Sequence, residues 1–81
     1  MKIEIFGTPA CTYCNKARQL CESKQLNYSY TNVKASPDIL RALERRVGAA
    51  VKTVPQIFID GEHLVDGFNS LFSRLSATLK A

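Results

Sequence analysis

The chain has 81 residues, of which 46% are hydrophobic and 22% charged, with a formal net charge of +4 at pH 7. This length predicts one domain over residues 1–81, and the composition argues against a disordered or low-complexity protein. No run approaches the roughly 18 apolar residues that cross a bilayer, and the N-terminus lacks the apolar core of a signal peptide, so we expect a cytoplasmic protein without membrane association. The basic residues are scattered, with only Arg45 and Arg46 adjacent, which does not predict nucleic-acid binding.

The first part of the chain predicts a strand, a helix and a second strand. Residues 2–6 alternate polar and apolar side chains, which predicts a strand ended by Gly7 and Pro9. Residues 12–24 predict a helix with one apolar face. That face carries Cys14, Ala17, Leu20 and Cys21. After a polar turn, residues 28–33 are rich in aromatic and β-branched side chains, which is typical of a strand.

A second helix follows in the middle of the chain. Ser36, Pro37 and Asp38 form a strong helix start, because serine caps a helix, proline suits its first position and an acid suits its positive end. Gly48 predicts the end of this helix. Its apolar stripe consists of Ile39, Leu40, Leu43 and Val47.

The last part of the chain predicts a hairpin and a third helix. Residues 56–59 and 63–65 flank Asp60-Gly61, which is the signal for a tight turn between two strands. In the last segment, apolar residues recur at helix spacing behind Asn69 and Ser70 as possible caps. These residues are Leu71, Phe72, Leu75 and Leu79. The order βαβαββα, with a parallel first pair of strands, predicts an α/β fold with a four-stranded mixed sheet and three flanking helices.

Two cysteines, Cys11 and Cys14, stand where the first strand turns into the first helix. Two intervening residues bring their Cα atoms near the roughly 4.4–6.8 Å that a disulfide requires. Cys11 lies just before the helix, where unpaired N–H groups and the helix dipole favour thiolate over thiol, so it is the predicted nucleophile. Cys14, one turn inside and facing the core, is the predicted resolving thiol.

The third cysteine, Cys21, lies about 10.5 Å along the same helix from Cys14, so the two cannot pair, and we interpret it as a buried hydrophobe. Three cysteines do not form a secreted disulfide framework. Cys11, Cys14, Cys21 and His63 could supply four zinc ligands. Structural zinc usually takes two close ligand pairs and only one pair is close here, so we predict no metal site and interpret His63 as an exposed strand residue.

Two segments carry a family resemblance. Thr53 to Gly61 looks like the threonine–valine–proline segment of glutaredoxins, and Phe6-Gly7 ahead of Cys11-Thr12-Tyr13-Cys14 fits the same family. The resemblance implies a thioredoxin-like fold in which Pro55 is a cis-proline packed against the redox pair. Because proline cannot donate to a strand ladder, Pro55 belongs at a strand entry in any case. The Val54 backbone would then be free to pair with an extended cysteinyl substrate.

The resemblance also implies a groove for glutathione. Tyr13 would form one wall, Thr53 and Val54 would bind the peptide backbone, and the start of the last helix would hold the γ-glutamyl carboxylate, which helix N-termini favour. The implied binding residues are Tyr13, Thr53, Val54, Pro55, Gly67, Phe68, Asn69 and Ser70. The chain departs from the family pattern at Thr8 (often basic), Thr12 (often proline) and Asp66 (the first residue of a glycine pair).

The implied protein is a monomeric dithiol glutaredoxin that reduces protein disulfides, such as that of ribonucleotide reductase, and glutathione mixed disulfides. Glutathione is the reductant, and no tightly bound cofactor is needed. Two alternatives remain open. The long stretch from Gly61 to Gly67 is similar to redoxins recharged by thioredoxin reductase, and Thr12 is compatible with a glutaredoxin that carries an iron–sulfur cluster between two protomers. A non-enzymatic module is disfavoured because both cysteines are present.

Overall fold

The computed structural model describes the backbone of residues 1–80 and the side chains of residues 1–76. Within this part the elements follow the predicted order βαβαββα, with boundaries that differ from the predicted ones by about a residue. They are β1 (Ile3–Gly7), α1 (Thr12–Ser23), β2 (Tyr28–Asn32), α2 (Pro37–Val47), β3 (Gln56–Ile59), β4 (Glu62–Leu64) and α3 (Phe68–Lys80). None of these helices is long and apolar enough to cross a membrane.

The four strands form one mixed sheet in the order β2-β1-β3-β4. β1 pairs in parallel with β2, with Ile5 opposite Tyr30, and α1 makes the crossover between them. β3 runs antiparallel to β1, with Ile57 opposite Ile5, and β4 runs antiparallel to β3. The predicted α/β class with a mixed four-stranded sheet and three helices is confirmed.

The two faces of the sheet bury different sets of side chains. Alternation along β1 sends Ile3 and Ile5 to the face that packs on α1 and α3, while Phe6 points to the α2 side. The first cluster contains Ile3, Ile5, Ala17, Cys21, Ile57, Ile59, Leu64, Leu71 and Leu75. The second is smaller and is built on Val33, Leu43 and Phe58. The larger cluster is therefore the core on which α1 packs, and it includes Cys21.

On the α2 side, a charged residue completes the packing. Arg46 makes two hydrogen bonds to the Glu4 carboxylate, at 2.9 and 3.0 Å, and its guanidinium lies 4.0 Å from the centroid of the Phe58 ring. The guanidinium lowers the pKa of the Glu4 carboxyl, chiefly through these hydrogen bonds. The interaction joins α2 to β1 across 42 positions of the chain, and no sequence periodicity predicts it.

The hairpin differs from its prediction in two respects. Asp60 and Gly61 do form the turn, with φ of 50° and 85°, as a left-handed two-residue turn requires. β4 starts and ends one residue earlier than predicted, leaving Val65 91% exposed beyond it. The prediction of an exposed His63 is wrong: the side chain is half-buried, its ring 5.1 Å from the Phe58 ring. The cause is the large Phe58 ring directly across the strand pair.

The start of α3 also corrects a prediction. The helix begins at Phe68, and the Gly67 carbonyl accepts its first helical bond from the Leu71 N–H at 3.0 Å. Asn69 and Ser70, predicted as caps, therefore lie inside the first turn. Among the predicted apolar positions of this helix, Leu71 and Leu75 are buried, Phe72 is half-exposed, and the Leu79 side chain lies outside the described residues.

Candidate active site

Cys11 occupies the N-cap position of α1. Its backbone is extended, and its Sγ accepts a hydrogen bond from the Cys14 N–H at 3.2 Å. The first turn of this helix contains no acidic side chain. The sulfur thus faces backbone N–H groups and the positive end of the helix, a setting in which negative charge on sulfur is stabilised.

Cys14 lies one turn further on and is fully buried, with 0% of its surface exposed. Burial, reinforced by the hydrogen bond to Cys11, raises the pKa of the Cys14 thiol to about 12. A Cβ placed on Gly7 would come within 2.4 Å of Cys14 Sγ, so only glycine at the end of β1 leaves room for this sulfur. Cys11 is partly exposed, which leaves it as the accessible member of the pair.

The loop before β3 brings the backbone of Val54 beside the redox pair. The Val54–Pro55 peptide bond is cis, as the family resemblance implies. The Cys11 thiol donates to the Val54 carbonyl at 3.7 Å between Sγ and oxygen. Gln56 is hydrogen-bonded to this loop, because its side-chain amide donates to the Thr53 carbonyl at 2.9 Å.

The support extends into the hairpin. The Gln56 Oε1 atom lies 2.6 Å from His63 Nε2 and, being a carbonyl oxygen, accepts from it. Gln56 was not predicted as a site residue. The sequence feature that could have identified Gln56 is its polar side chain at the first position of β3, a strand that is otherwise apolar.

An open groove of about 270 Å³ runs from Tyr13 and the cis-proline loop to the start of α3. It is lined by Tyr13, Thr53, Val54, Pro55, Gln56, Val65, Asp66, Gly67, Phe68 and Asn69. The structure therefore brings together all the predicted binding residues except Ser70. Gln56 and Val65 join them without having been predicted.

The wall of the groove nearest the cysteines is aromatic. The Tyr13 ring is half-exposed and lies 5.8 Å from the Phe68 ring, and Lys16 Nζ lies 4.8 Å from the Tyr13 centroid. Gly67 lies close to Pro55 in this groove. Its φ is +53°, and a Cβ there would approach the Pro55 carbonyl oxygen to 2.9 Å, so both the backbone conformation and the contact require glycine.

The far end of the groove is the N-terminus of α3. Gly67 provides no side chain to cap this helix, and the exposed Asp66 immediately precedes it. The Ser70 hydroxyl points back and accepts from the Asp66 N–H at 3.2 Å. Ser70 thus shapes the backbone at the groove end without lining the groove.

The four zinc-ligand candidates do not converge. Cys21 lies on the face of α1 that is buried in the core, and burial raises the pKa of its thiol, while His63 lies on the opposite sheet face against Phe58. All three cysteines are free. Among the residues that the structure describes, no three His, Cys, Asp or Glu side chains are grouped as metal ligands.

Comparison with known proteins identifies glutaredoxins among the relatives of this chain. A sequence model of the glutaredoxin family matches residues 3–64. Glutaredoxin 1 of Salmonella typhimurium is 45% identical over 65 residues, covering 74% of this chain and 75% of that protein. The NMR structure of reduced Escherichia coli glutaredoxin matches with a TM-score of 0.80 at 32% identity, covering 100% of both chains. A buckwheat glutaredoxin, solved in complex with glutathione, matches with a TM-score of 0.75 at 25% identity, covering 94% of this chain and 69% of that one.

Proposed function

Because this chain belongs to the glutaredoxin family of thiol–disulfide oxidoreductases, we propose that it reduces protein disulfides and glutathione mixed disulfides with glutathione as the electron donor. The observation that carries the proposal is the pairing of a partly exposed Cys11 with a fully buried Cys14 beside an open groove. The Cys11 sulfur is accessible to a substrate, and the Cys14 sulfur is buried next to it.

In the first step the Cys11 thiolate attacks a substrate disulfide. One substrate sulfur bonds to Cys11, and the other leaves as a thiolate that takes a proton from solvent. The Val54 backbone lies next to Cys11 Sγ, so an extended substrate segment can pair with it as an added strand.

In the second step Cys14 resolves the mixed disulfide. Its thiolate attacks Cys11 Sγ, the Cys11–Cys14 bond forms, and the substrate leaves reduced. One glutathione thiolate then opens that bond by attacking Cys11, and a second attacks the resulting mixed disulfide. The products are the reduced dithiol and oxidised glutathione, so two electrons pass from two glutathione molecules to one substrate disulfide.

Glutathione would occupy the groove in an extended conformation. Tyr13 would flank its cysteinyl part, and Thr53, Val54 and Pro55 would offer backbone pairing. The γ-glutamyl carboxylate would lie at the start of α3 among Gly67, Phe68 and Asn69, where the helix end favours an anion. Ser70 would act on the ligand only through the Asp66 backbone that it holds. The buckwheat relative solved in complex with glutathione supports glutathione as the ligand.

The proposal extends to the cellular setting. A dithiol that cycles with glutathione suits the reducing cytoplasm, and the protein would work there as a monomer without a resident cofactor. Ribonucleotide reductase is a candidate substrate because the family resemblance implies it.

Turnover with two electron donors tests the proposal. The glutathione mixed disulfide of a small thiol is the substrate, and NADPH consumption is followed with glutathione plus glutathione reductase, or with thioredoxin reductase alone. We expect turnover with glutathione, none with thioredoxin reductase, and none in either assay for Cys11→Ser. Turnover with thioredoxin reductase only would show that thioredoxin reductase, and not glutathione, is the electron donor. A brown protein with thiolate-to-iron absorption would instead support an iron–sulfur carrier.

A further inference from the structure

Tyr30 has a buried hydroxyl with no hydrogen-bond partner. The residue lies on β2 opposite Ile5, and its ring packs on the sheet face covered by α1. Among the residues that the structure describes, its oxygen is the buried side-chain polar atom left without a bond. Native proteins rarely leave such a group unpaired, because its lost hydration is not replaced. The Tyr30 hydroxyl therefore requires an explanation.

The neighbouring groups place this side chain at the redox centre. A Cβ on Gly7 would lie 2.4 Å from Cys14 Sγ and 3.6 Å from Tyr30 Cε1. The Cys14 sulfur and the edge of the Tyr30 ring therefore border the same small space beside Gly7. Burial raises the pKa of the Tyr30 hydroxyl most, and negative charge on Cys14 and then on Cys11 raises it further. The hydroxyl thus lies in the electrostatic field of both sulfurs.

A cation also contacts the Tyr30 ring. The Arg18 guanidinium carbon lies 4.7 Å from the centroid of the Tyr30 ring, and its positive charge acts to lower the pKa of the hydroxyl. A nearby cation makes a phenol a stronger hydrogen-bond donor. Arg18 also donates to the hydroxyl of Tyr28, which bonds Glu22 in turn. Of the two tyrosines of β2, Tyr28 therefore has hydrogen-bond partners for its hydroxyl, and the buried hydroxyl of Tyr30 has none.

We propose that the Tyr30 hydroxyl donates a hydrogen bond to the Cys14 sulfur whenever that sulfur is anionic during the exchange reaction. This inference rests on the proposed roles of Cys11 as nucleophile and Cys14 as resolving thiol. In the reduced protein Cys14 is a neutral thiol, and the hydroxyl stays unpaired. The burial that excludes water from Cys14 also makes its thiolate hard to form, so a single internal donor has a large effect.

The bond acts in both directions of the reaction. In resolution, the Cys14 sulfur loses its proton and attacks Cys11 Sγ, and the substrate sulfur leaves and takes up that proton. In recharging, glutathione thiolate attacks Cys11 Sγ and Cys14 departs as a thiolate. In both steps Tyr30 keeps its own proton and only stabilises charge on the Cys14 sulfur.

Single-turnover kinetics of Tyr30→Phe test the proposal, with Tyr28→Phe as the matched control. Reduced protein is mixed with oxidised glutathione and quenched in acid, and mass analysis follows the Cys11–glutathione mixed disulfide as it converts into the Cys11–Cys14 disulfide. We expect Tyr30→Phe to slow this conversion about tenfold, the size of a hydrogen bond to a charged group. Tyr28→Phe should stay within about twofold of the wild-type rate.

Two further measurements separate this role from a packing role. Removing an unpaired buried hydroxyl should raise the Tm of the reduced protein by about 5 °C, whereas loss of a packing contact would lower it. In a Cys14→Ser background, where only Cys11 reacts, adding Tyr30→Phe should leave mixed-disulfide turnover unchanged.

Either of two results would overturn the inference: wild-type resolution rates in Tyr30→Phe, or an equal slowing in the Cys14→Ser background. If the wild-type protein itself never converts the mixed disulfide into the internal one, the two-cysteine mechanism fails and this inference fails with it.

Discussion

The starts of α1 and α2 are capped in a similar way and have different chemistry. Each helix follows an extended residue whose side chain accepts a backbone hydrogen bond: Cys11 Sγ from the Cys14 N–H at 3.2 Å, and Ser36 Oγ from the Asp38 N–H at 3.2 Å. Both caps satisfy a donor that the helix leaves unpaired. The geometry of a cap therefore does not by itself make a reactive site.

The difference lies in the capping atom and in the charge around it. The first turn of α2 contains Asp38, which is paired with Arg41 at 2.6 Å, so its positive end already faces a carboxylate. The first turn of α1 has no acid, and its cap is a sulfur that can ionise. Reactivity thus requires an ionisable cap at a helix end that no carboxylate has neutralised.

The largest effect on activity is expected from replacing Cys11, the cap of α1, with serine, the residue that caps α2. Cys11→Ser keeps a capping side chain on α1, so the protein should fold, but all disulfide reduction should disappear because the nucleophilic sulfur is gone.

Cys14→Ser should lose reduction of protein disulfides and keep some reduction of glutathione mixed disulfides, which needs one thiol. Alkylation kinetics at neutral pH provide an independent check, and faster labelling of Cys14 than of Cys11 would reverse the assignment.

The second effect, on the α2 cap, should appear in stability alone. Ser36→Ala removes the Oγ that accepts from Asp38 and should lower the free energy of unfolding by about 1 kcal/mol, or about 4–8 °C in Tm for a domain of this size. Turnover per folded molecule should not change. Denaturant unfolding and steady-state kinetics on the same preparation measure both quantities, and a turnover defect in folded Ser36→Ala would show that α2 contributes to the site.

A smaller effect should follow from giving α1 the acid that α2 has. Thr12→Asp places a carboxylate in the first turn beside the Cys11 sulfur, where it repels negative charge, and should slow alkylation of Cys11 roughly threefold at low salt. Thr12→Asn has nearly the same shape without the charge and serves as the control. Equal slowing by both variants would assign the effect to shape rather than charge.

The sequence predicts the elements around these helix starts because each depends on local patterns. The cap at Ser36, the end at Gly48 and the turn at Asp60-Gly61 all follow from the preferences of single residues, and the structure has all three. The redox cysteines at the start of α1 follow from a short motif whose spacing carries the geometry, whereas the residues of the cis-proline loop follow only from the family resemblance.

What the sequence does not predict depends on contacts between distant elements. The burial of His63 depends on Phe58 across the hairpin, and the pairing of Glu4 with Arg46 joins β1 to α2. Gly7 reads as a strand end, and only the structure shows that Cys14 Sγ fills the space beside it. Tyr30 likewise reads as an ordinary strand residue. Side-chain periodicity assigns a residue to a face but not to its neighbours across the sheet.

The start of α3 extends the comparison to a third helix end. Gly67 precedes this helix and has no side chain to cap it, while the exposed Asp66 lies just outside. The N-terminus of α3 therefore resembles that of α2 in having a carboxylate nearby. It resembles that of α1 in bordering the groove in which an anion is proposed to bind. If glutathione binds with its γ-glutamyl carboxylate here, the helix end attracts that carboxylate and the Asp66 side chain repels it.

Replacing Asp66 should therefore strengthen glutathione binding by a small amount. Asp66→Gly should lower the KM for glutathione about twofold at low salt, because the charge is solvent-exposed and only weakly coupled to the ligand. The gain should shrink as salt rises, since salt screens exposed charges over roughly 8–10 Å. Asp66→Asn removes the charge without adding glycine flexibility and should give the same shift, so a response confined to Asp66→Gly would reflect the backbone. An unchanged KM in both variants would mean that the carboxylate of glutathione does not reach the start of α3, which would favour thioredoxin reductase as the electron donor.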